Sequence, residues 1–477
     1  MKKLIALPAI ILLLITHIGL CQPVPDVDTK LDSLFAHYNT HTPGVSVVVV
    51  KDGKMVFRKS YGSANLEYGI ANTPETVFQI ASVSKQFTAF AIYLLAKQGK
   101  LSLEDDIRKY IPELPTYGKP IRIRHLLAHT SGIRDLAATL TLAGWHIEDV
   151  MTTEQILKVT AKQKGLNFET GTAFGYSNTG YTLLAQIIER ATKQSFTDYT
   201  SKNIFEPLQM TSTRFYNDYH TIIKNRAHSY EKNNGQYIKK ELLFADAGPS
   251  SLHTTAEDMA KWANNFDHPI VGDARLIEDF NKISLLDNSK PVVWAANRTD
   301  TTYHAKGQLH WQHKGIHAIT HGGHTAGFRA WFARFPEHNL SIIALSNDEH
   351  YDILGNGLKL VEFYLKDQLK ETDIVGIPFS TANSKPEKYS TDLKDYIGQY
   401  YSDELSTEYF IKLQNNKLIM THSRLSDIEL TQTGDNKFSG VNSFKFELEF
   451  VRNGKNIAGF KISNFGAKNM KFNRLTK

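Results

Sequence analysis

The chain has 477 residues, of which 41% are hydrophobic, 22% charged and 11% aromatic. That is the composition of a globular protein of two or three domains, not of a disordered, collagenous or coiled-coil one. Its 55 Lys and Arg against 49 Asp and Glu leave a net charge of +6, with no basic run of the kind a nucleic-acid partner requires, and a single cysteine, Cys21, excludes disulfide frameworks, Cys-rich zinc sites and dithiol redox chemistry.

At the N-terminus, Met1-Lys2-Lys3 is followed by an almost wholly apolar run from Leu4 to Ile15. A basic start and an apolar core too short for the roughly 20 residues of a membrane span read as a secretory signal, residues 1–21. With Gly19 and Cys21 at the −3 and −1 positions, cleavage falls before Gln22. The alternative is Cys21 as the lipidated first residue of a lipoprotein. The protein is therefore expected to be exported, periplasmic or secreted, and attached to a membrane only if Cys21 is lipidated.

Residues 44–50 (Gly-Val-Ser-Val-Val-Val-Val) predict a buried strand, Lys51-Asp52-Gly53-Lys54 a hairpin turn, and residues 55–59 the returning strand. Residues 82–98 predict a helix whose apolar face carries Val83, Phe87, Phe90, Ala91, Leu94 and Leu95. Further helices are expected at 153–162, 181–192 and 255–265, and a late β region at 310–321 and 328–346. Strands at both ends of a helical middle predict an α+β fold, a sheet built from the two chain ends with helices layered on it. The domain at 22–370 is followed by a Pro-, Thr-, Ser- and Lys-rich linker at 371–390. Residues 391–477 then alternate short β segments with polar turns, the texture of a small antiparallel β domain. Its Tyr400, Tyr401, Tyr409, Phe438, Phe444, Phe446 and Phe450 are expected in its core.

Chemistry is concentrated at three places. In Ser82-Val83-Ser84-Lys85, Ser82 and Lys85 are i and i+3 on one helix face. A hydroxyl needs a neighbouring base to become a nucleophile, and a lysine of lowered pKa one turn away can supply it. The same spacing also suits a capping serine beside a solvated lysine. In Tyr176-Ser177-Asn178, the first and third side chains of an extended segment point the same way. Tyr176 would serve as a phenolate-type base and Asn178 as an amide for a substrate carbonyl, or the pair is a buried aromatic followed by a helix cap. In His321-Gly322-Gly323, two glycines on a β edge allow close approach of a substrate backbone, or form a simple glycine turn.

In this order the three motifs resemble those of the serine β-lactamase and penicillin-binding superfamily, in particular the branch of class C β-lactamases, D-amino-acid peptidases and related esterases. The pattern there is Ser-x-x-Lys, Tyr-x-Asn, then Lys-Thr-Gly or a variant such as His-x-Gly. Phe78-Gln79-Ile80-Ala81, His125-Leu126-Leu127-Ala128-His129-Thr130-Ser131-Gly132, Phe205-Glu206-Pro207-Leu208-Gln209-Met210 and Ala247-Gly248-Pro249-Ser250 fit as well. The resemblance spans about residues 31–366. It implies a β-lactamase/transpeptidase-like antiparallel sheet, and the tail resembles the lipocalin-like β domain of some members. It also implies an acyl-enzyme mechanism without metal or organic cofactor. Ser82 would attack, Lys85 and Tyr176 would move the proton, and Asn178 would orient substrate and Lys85. Substrate would also be bound at His321, Gly322 and Gly323, and the backbone amides of Ser82 and His324 would form the oxyanion hole.

The expected substrates are small molecules or peptides cleaved at amide or ester bonds: D-amino-acid peptides, cell-wall fragments or small esters. His321 stands where a β-lactamase usually has lysine, and a largely neutral imidazole suits a substrate carboxylate less well. The balance shifts towards a peptidase or esterase with weak β-lactam hydrolysis. His324 adds bulk at the mouth. His304, His310, His313, His317, His321 and His324 crowd one stretch, but no His-Glu-x-x-His or carboxylate-rich partner accompanies them. Only His321 and His324 are expected near the site, and His129 is expected to satisfy a helix end. A Gly-x-Ser-x-Gly elbow, a Walker loop and a Gly-x-Gly-x-x-Gly fingerprint are missing from the sequence. The reading of a different class is a non-catalytic sensor or scaffold that keeps the pocket and binds muropeptides, penicillin or a protein.

Overall fold

A computed structural model describes residues 25–296, 301–370 and 392–475. The expected signal at 1–21 and the expected linker at 371–390 lie outside the described residues. The chain divides into two units, the first ending at His37 and described by helix α1 (Pro25–Phe35). The second unit holds everything from Tyr38 onward.

In the second unit, β1 (Val45–Lys51) and β2 (Lys54–Tyr61) form the predicted hairpin. β3 (Val293–Ala296), β4 (Thr301–Ala305), β5 (Gln308–His313), β6 (Ile316–Thr325), β7 (Phe328–Phe335) and β8 (Leu340–Ser346) come from the other end of the domain. They build one antiparallel eight-stranded sheet in the order β3-β4-β5-β6-β7-β8-β1-β2. The closing pair is β1 with β8, from Val45 opposite Ser346 to Lys51 opposite Leu340. The fold is thus α+β with a sheet made from both chain ends. The expected β region at 310–321 holds two strands, β5 and β6, because Lys314 and Gly315 both take positive φ and turn the chain.

Among the described residues the helices after α1 are α2 (Lys85–Lys97), α3 (Ile123–Leu127), α4 (Leu136–Leu142), α5 (Thr153–Ala161), α6 (Asn178–Thr192), α7 (Phe196–Thr200), α8 (Ala256–Asp267), α9 (Ala274–Asn281) and α10 (Ile353–Leu365). The expected helix at 82–98 begins with a 3-10 turn, Ala81–Ser84, before α2 takes over. Burial in α2 extends beyond the expected apolar face. Lys85, Gln86 and Thr88 are buried with the apolar residues, because α2 runs through the core, packed against α6, α7 and α9. α5, α6 and α8 match their expected stretches, and Thr152 and Thr255 cap α5 and α8 through their hydroxyls.

The C-terminal part is a closed barrel of eight antiparallel strands, from Gly398–Ser402 to Met470–Arg474. Closure leaves no sheet edge to pair. Tyr400, Tyr409, Phe438, Phe446 and Phe450 are in its core, while Tyr401 and Phe444 are only half-buried, a correction to the expectation for those two. The barrel's apolar cluster also contains Ala138 and Leu142 of α4, so barrel and sheet domain share a packed junction.

Candidate active site

Ser82 lies on the 3-10 turn, and between Thr76 and Ile92 it alone reaches the surface among the described residues. The turn is sharp because Ala81 takes φ +48°, a left-handed conformation that costs a residue with a Cβ about 1–2 kcal/mol. Burial of Ile80, Ala81 and Val83, and the Ile80 N–H bond to the Leu252 carbonyl at 3.0 Å, hold it in place.

Lys85, the first residue of α2, is 0% exposed. Its Nζ lies 3.1 Å from Ser82 Oγ, 2.8 Å from Asn178 Oδ1 and 2.8 Å from the Pro249 carbonyl. It also sits over the rings of Tyr176 and Tyr181, 4.9 and 5.6 Å from their centroids. Burial lowers its pKa to about 7, against the opposing pull of the Asp135 and Asp246 carboxylates.

Tyr176 Oη donates to Ser82 Oγ at 2.8 Å. Burial raises the pKa of this phenol above its usual 10. Desolvation thus favours the phenol over the phenolate at rest. Asn178 opens α6. Its Oδ1 must accept from Lys85, because its Nδ2 and its backbone N–H both donate to Asp135 Oδ2, at 2.9 and 2.7 Å. The carboxylate can only accept and the ammonium only donate, which fixes the orientation of the amide.

The third motif lies in β6. Pairing with β5 ends at Thr320, while pairing with β7 continues to Thr325, so His321 to Thr325 form a local open edge beside the 3-10 turn. Here a β edge is right and a glycine turn wrong. What comes close to Gly323 is the protein's own backbone: a Cβ there would lie 2.2 Å from the Ile80 carbonyl oxygen and 3.2 Å from the Ala81 Cβ. Gly322 has nothing nearer than the Ala330 carbonyl at 4.0 Å.

His321 is 3% exposed. Its Nδ1 donates to the Gly322 carbonyl at 2.6 Å, and its Nε2 is buried without a partner among the described residues. Burial, and to a lesser degree Lys85, lower its pKa to about 4, so it is neutral at pH 7. His324 is exposed at the cleft rim. Ser82, Asn178 and His324 line one cleft of about 360 Å³. Its other walls include Leu136 and Ala137 of α4, then Ile147, Asp149 and Met151, and Phe244, Asp246 and Ser250.

His129, with φ +57°, accepts the Ser177 N–H on Nδ1 at 3.1 Å at the start of α6, the expected helix-end role. His304 departs from expectation. It is buried against His129, with ring centroids 4.9 Å apart, and beside Trp294 behind Tyr176. Burial holds its pKa well below 6.5, and the same is true of His129. His310 pairs with His317 on the neighbouring strand, Nδ1 to Nε2 at 3.1 Å. Among the described residues no cluster of three or more His, Cys, Asp or Glu is arranged to hold a metal ion.

Two carboxylates, the buried Asp135 and the half-buried Asp246, were missed by sequence reasoning. Asp135 caps α4 and binds Asn178. An Asp immediately before the apolar run Leu136–Leu142 is a helix-start signal that could have found it. Asp246 accepts from Thr182 and Thr153 hydroxyls at 2.7 and 2.9 Å, and burial pushes its pKa up to about 7 despite those bonds. No sequence signal marks Asp246. The arrangement as a whole gives a hydroxyl held between a buried amine and a half-buried phenol, at the mouth of a cleft.

Residues 31–359 match the Beta-lactamase family, and the chain belongs to that family, whose members are serine hydrolases. Within it, the chain is similar to Protein flp of Staphylococcus aureus (strain N315), 29% identical over 68% of this chain. The matched part spans 63% of that relative's own length. It is also similar to Penicillin-binding protein 4* of Bacillus subtilis (strain 168), 27% identical over 85% of this chain and 89% of the relative. Among solved structures, the octameric penicillin-binding protein homologue from Pyrococcus abyssi shares the fold at a TM-score of 0.60 and 20% identity, over 94% of this chain and 99% of that one. The D-amino acid amidase from Ochrobactrum anthropi SV3 does so at 0.58 and 22%, over 72% of this chain and 98% of its own.

Proposed function

We propose that the chain is an exported serine hydrolase that cleaves amide or ester bonds through an acyl-enzyme at Ser82. The observation that carries this reading is the placement of Ser82 Oγ, 3.1 Å from a buried Lys85 Nζ and 2.8 Å from Tyr176 Oη. In the neutral form of Lys85, its two hydrogens go to Asn178 Oδ1 and the Pro249 carbonyl, and its lone pair takes the Ser82 proton. Ser82 Oγ then bonds to the substrate carbonyl carbon. The resulting oxyanion is held by the backbone amides of Ser82 and His324, each worth about 3 kcal/mol by analogy with other hydrolases. As the carbonyl reforms, the bond to the leaving nitrogen or oxygen breaks, and Tyr176 supplies its phenolic proton to that atom. The Lys85 ammonium returns a proton to Tyr176. Water attacks the ester, its proton passes to the same pair, and Ser82 is released. Gly322 and Gly323 form the substrate-facing edge. Asn178 holds Lys85 in register.

The neutral, buried His321 favours substrates without a carboxylate to anchor at that point, hence D-amino-acid amides and peptides, cell-wall fragments or small esters, with β-lactams as poor substrates. Residues 1–21 are assigned as the export signal, 22–370 as the hydrolase domain, 371–390 as the linker and 391–477 as a lipocalin-like domain. No helix among the described residues is long and apolar enough to cross a membrane, and Cys21 remains the site for a lipid anchor if there is one.

The test is intact mass after a fluorophosphonate and, separately, a penicillin, on wild type and Ser82→Ala. A fluorophosphonate adduct lost in the variant, with no lasting penicillin adduct and little penicillin turnover, is expected. A stable penicillin adduct would move the reading to a penicillin-binding carboxypeptidase. No adduct with either reagent on folded protein would leave a non-catalytic binding role.

A further inference from the structure

The barrel reaches the reacting centre through a continuous chain of hydrogen bonds. Its last connection, between strands Asn456–Ser463 and Met470–Arg474, lies against the segment that opens α4. The Asp135 N–H donates to the Gly466 carbonyl at 2.9 Å, and Asn464 Nδ2 donates to the Ala138 carbonyl at 2.9 Å. Arg134 Nη2 donates to the Lys468 carbonyl at 3.0 Å, and Asn167 bridges to Gly466 and Lys468. The approach is tight. A Cβ on Gly466 would lie 2.7 Å from the Asp135 Cβ and 3.0 Å from the Ala138 Cβ.

From that anchored backbone, the Asp135 carboxylate accepts four N–H groups. Oδ1 takes Ala137 and Ala138 at 3.0 and 3.2 Å, and Oδ2 takes the backbone and side-chain N–H of Asn178. Burial raises the pKa of this carboxyl, opposed by the bonds from Asn178 and Ala138, and four donors with no acceptor among them fit the anion at the N-termini of α4 and α6 together. Asn178 in turn accepts from Lys85.

We propose that Asp135 is a positioning residue for Lys85 and that the C-terminal barrel, through Gly466 and its loop, sets where Asp135 stands. The barrel is thereby part of the catalytic apparatus rather than an appended module. This rests on the serine hydrolase reading.

The groups facing Lys85 from each packed element are few. They are Asp135 ahead of α4, Asp246 after the short strand Phe244–Ala245, Tyr176 and Ser82 on their turns, Asn178 and Tyr181 on α6, and the neutral histidines 321, 304 and 129. Only the two carboxylates hold the ammonium form up against burial. Loss of the Asp135 charge therefore lowers the Lys85 pKa. If the free amine is what reacts, the acid limb of the rate profile moves to lower pH.

The experiment is the second-order rate of fluorophosphonate labelling at Ser82 from pH 5 to 9, roughly the range over which such groups titrate. It uses the full chain as wild type, Asp135→Asn and Gly466→Ala, with Ser82→Ala as the blank and a thermal melt on each. Asp135→Asn is expected to label about tenfold more slowly at the optimum and to shift the acid limb down by about one unit. Gly466→Ala, which touches no substrate, should shift both in the same direction by less. Folded variants that label with an unmoved limb overturn the proposal, whether or not they melt earlier. If neither variant is recovered folded, Asn464→Ala, which cuts the loop's bond to α4 without adding bulk, is scored the same way. A wild type that does not label at Ser82 sinks the hydrolase reading, a different failure.

Discussion

Three acceptors surround Lys85 Nζ, which as an ammonium would satisfy all of them. Burial opposes that charge, and a pKa of about 7 leaves both forms populated at neutral pH. Labelling of Ser82 should therefore rise with pH through about 7 as the amine loses its proton. Lys85→Arg keeps the charge but cannot give up a proton. It should label as slowly as Lys85→Ala, about 10³-fold below wild type. An arginine variant retaining a tenth of the wild-type rate would remove the base role. A second prediction concerns His321. With Nδ1 tied to the Gly322 carbonyl and a pKa of about 4, it offers no cation. His321→Lys should raise the acylation rate by a penicillin relative to that by a neutral ester. An unchanged ratio of the two rate constants would detach substrate choice from this side chain. Ser82, Lys85, Tyr176, Asn178 and His321 were legible in the sequence as candidates because each motif is local. Asp135 and Asp246 were not, because neither belongs to one of the three local motifs, and only the fold brings them to Lys85. The protonation state of Tyr176 is not legible in the motif for a related reason: desolvation is set by the assembled pocket.

At the scale of elements, the site depends on how closely β6 lies against the 3-10 turn. The two glycines of the third motif separate cleanly. Gly323→Ala must push a Cβ into the Ile80 carbonyl 2.2 Å away, which disturbs the turn that presents Ser82. It should cost about 1–3 kcal/mol and abolish labelling. Gly322→Ala meets nothing nearer than 4.0 Å and should stay within about 0.5 kcal/mol of wild type. Denaturant midpoints and labelling rates measure both, and equal effects at the two positions would show that the close approach is not what selects glycine. Periodicity found α5, α6 and α8 because one face of each meets the core. It misjudged α2, whose polar residues Lys85, Gln86 and Thr88 are buried, with tertiary bonds such as Thr88 Oγ1 to the Gly248 carbonyl at 2.7 Å. It missed α4 altogether. Leu136–Leu142 is short and without a helical period, and it faces the cleft on one side and the barrel core on the other.

At the scale of the molecule, the barrel is fastened by a buried ion pair beside the site. Arg134 and Glu404 are both 5% exposed and 2.7 Å apart. Arg134 also donates to Gln163 Oε1 at 2.7 Å, and Glu404 accepts the Lys164 N–H at 2.8 Å. The β character of the tail was plain from its alternation, but this junction was not, because residues 134 and 404 meet only once the barrel is closed and docked. Removing one member leaves an uncompensated buried charge, a loss of about 3–5 kcal/mol. An exposed pair on the barrel, Lys412 with Asp427 at 3.0 Å, should contribute no more than about 1 kcal/mol. The comparison is a double-mutant cycle on each pair, with unfolding followed by a probe in the barrel and another in the sheet domain. For Arg134 and Glu404, the single alanine variants should each lose most of the stability that the double variant loses, and the two probes should separate as the junction fails. For Lys412 and Asp427, the losses should be small and the probes should stay together. If the probes remain coincident in Arg134→Ala and Glu404→Ala, the junction does not depend on this pair, and the α4 contacts through Ala138 and Leu142 must be sufficient to hold the barrel against the site.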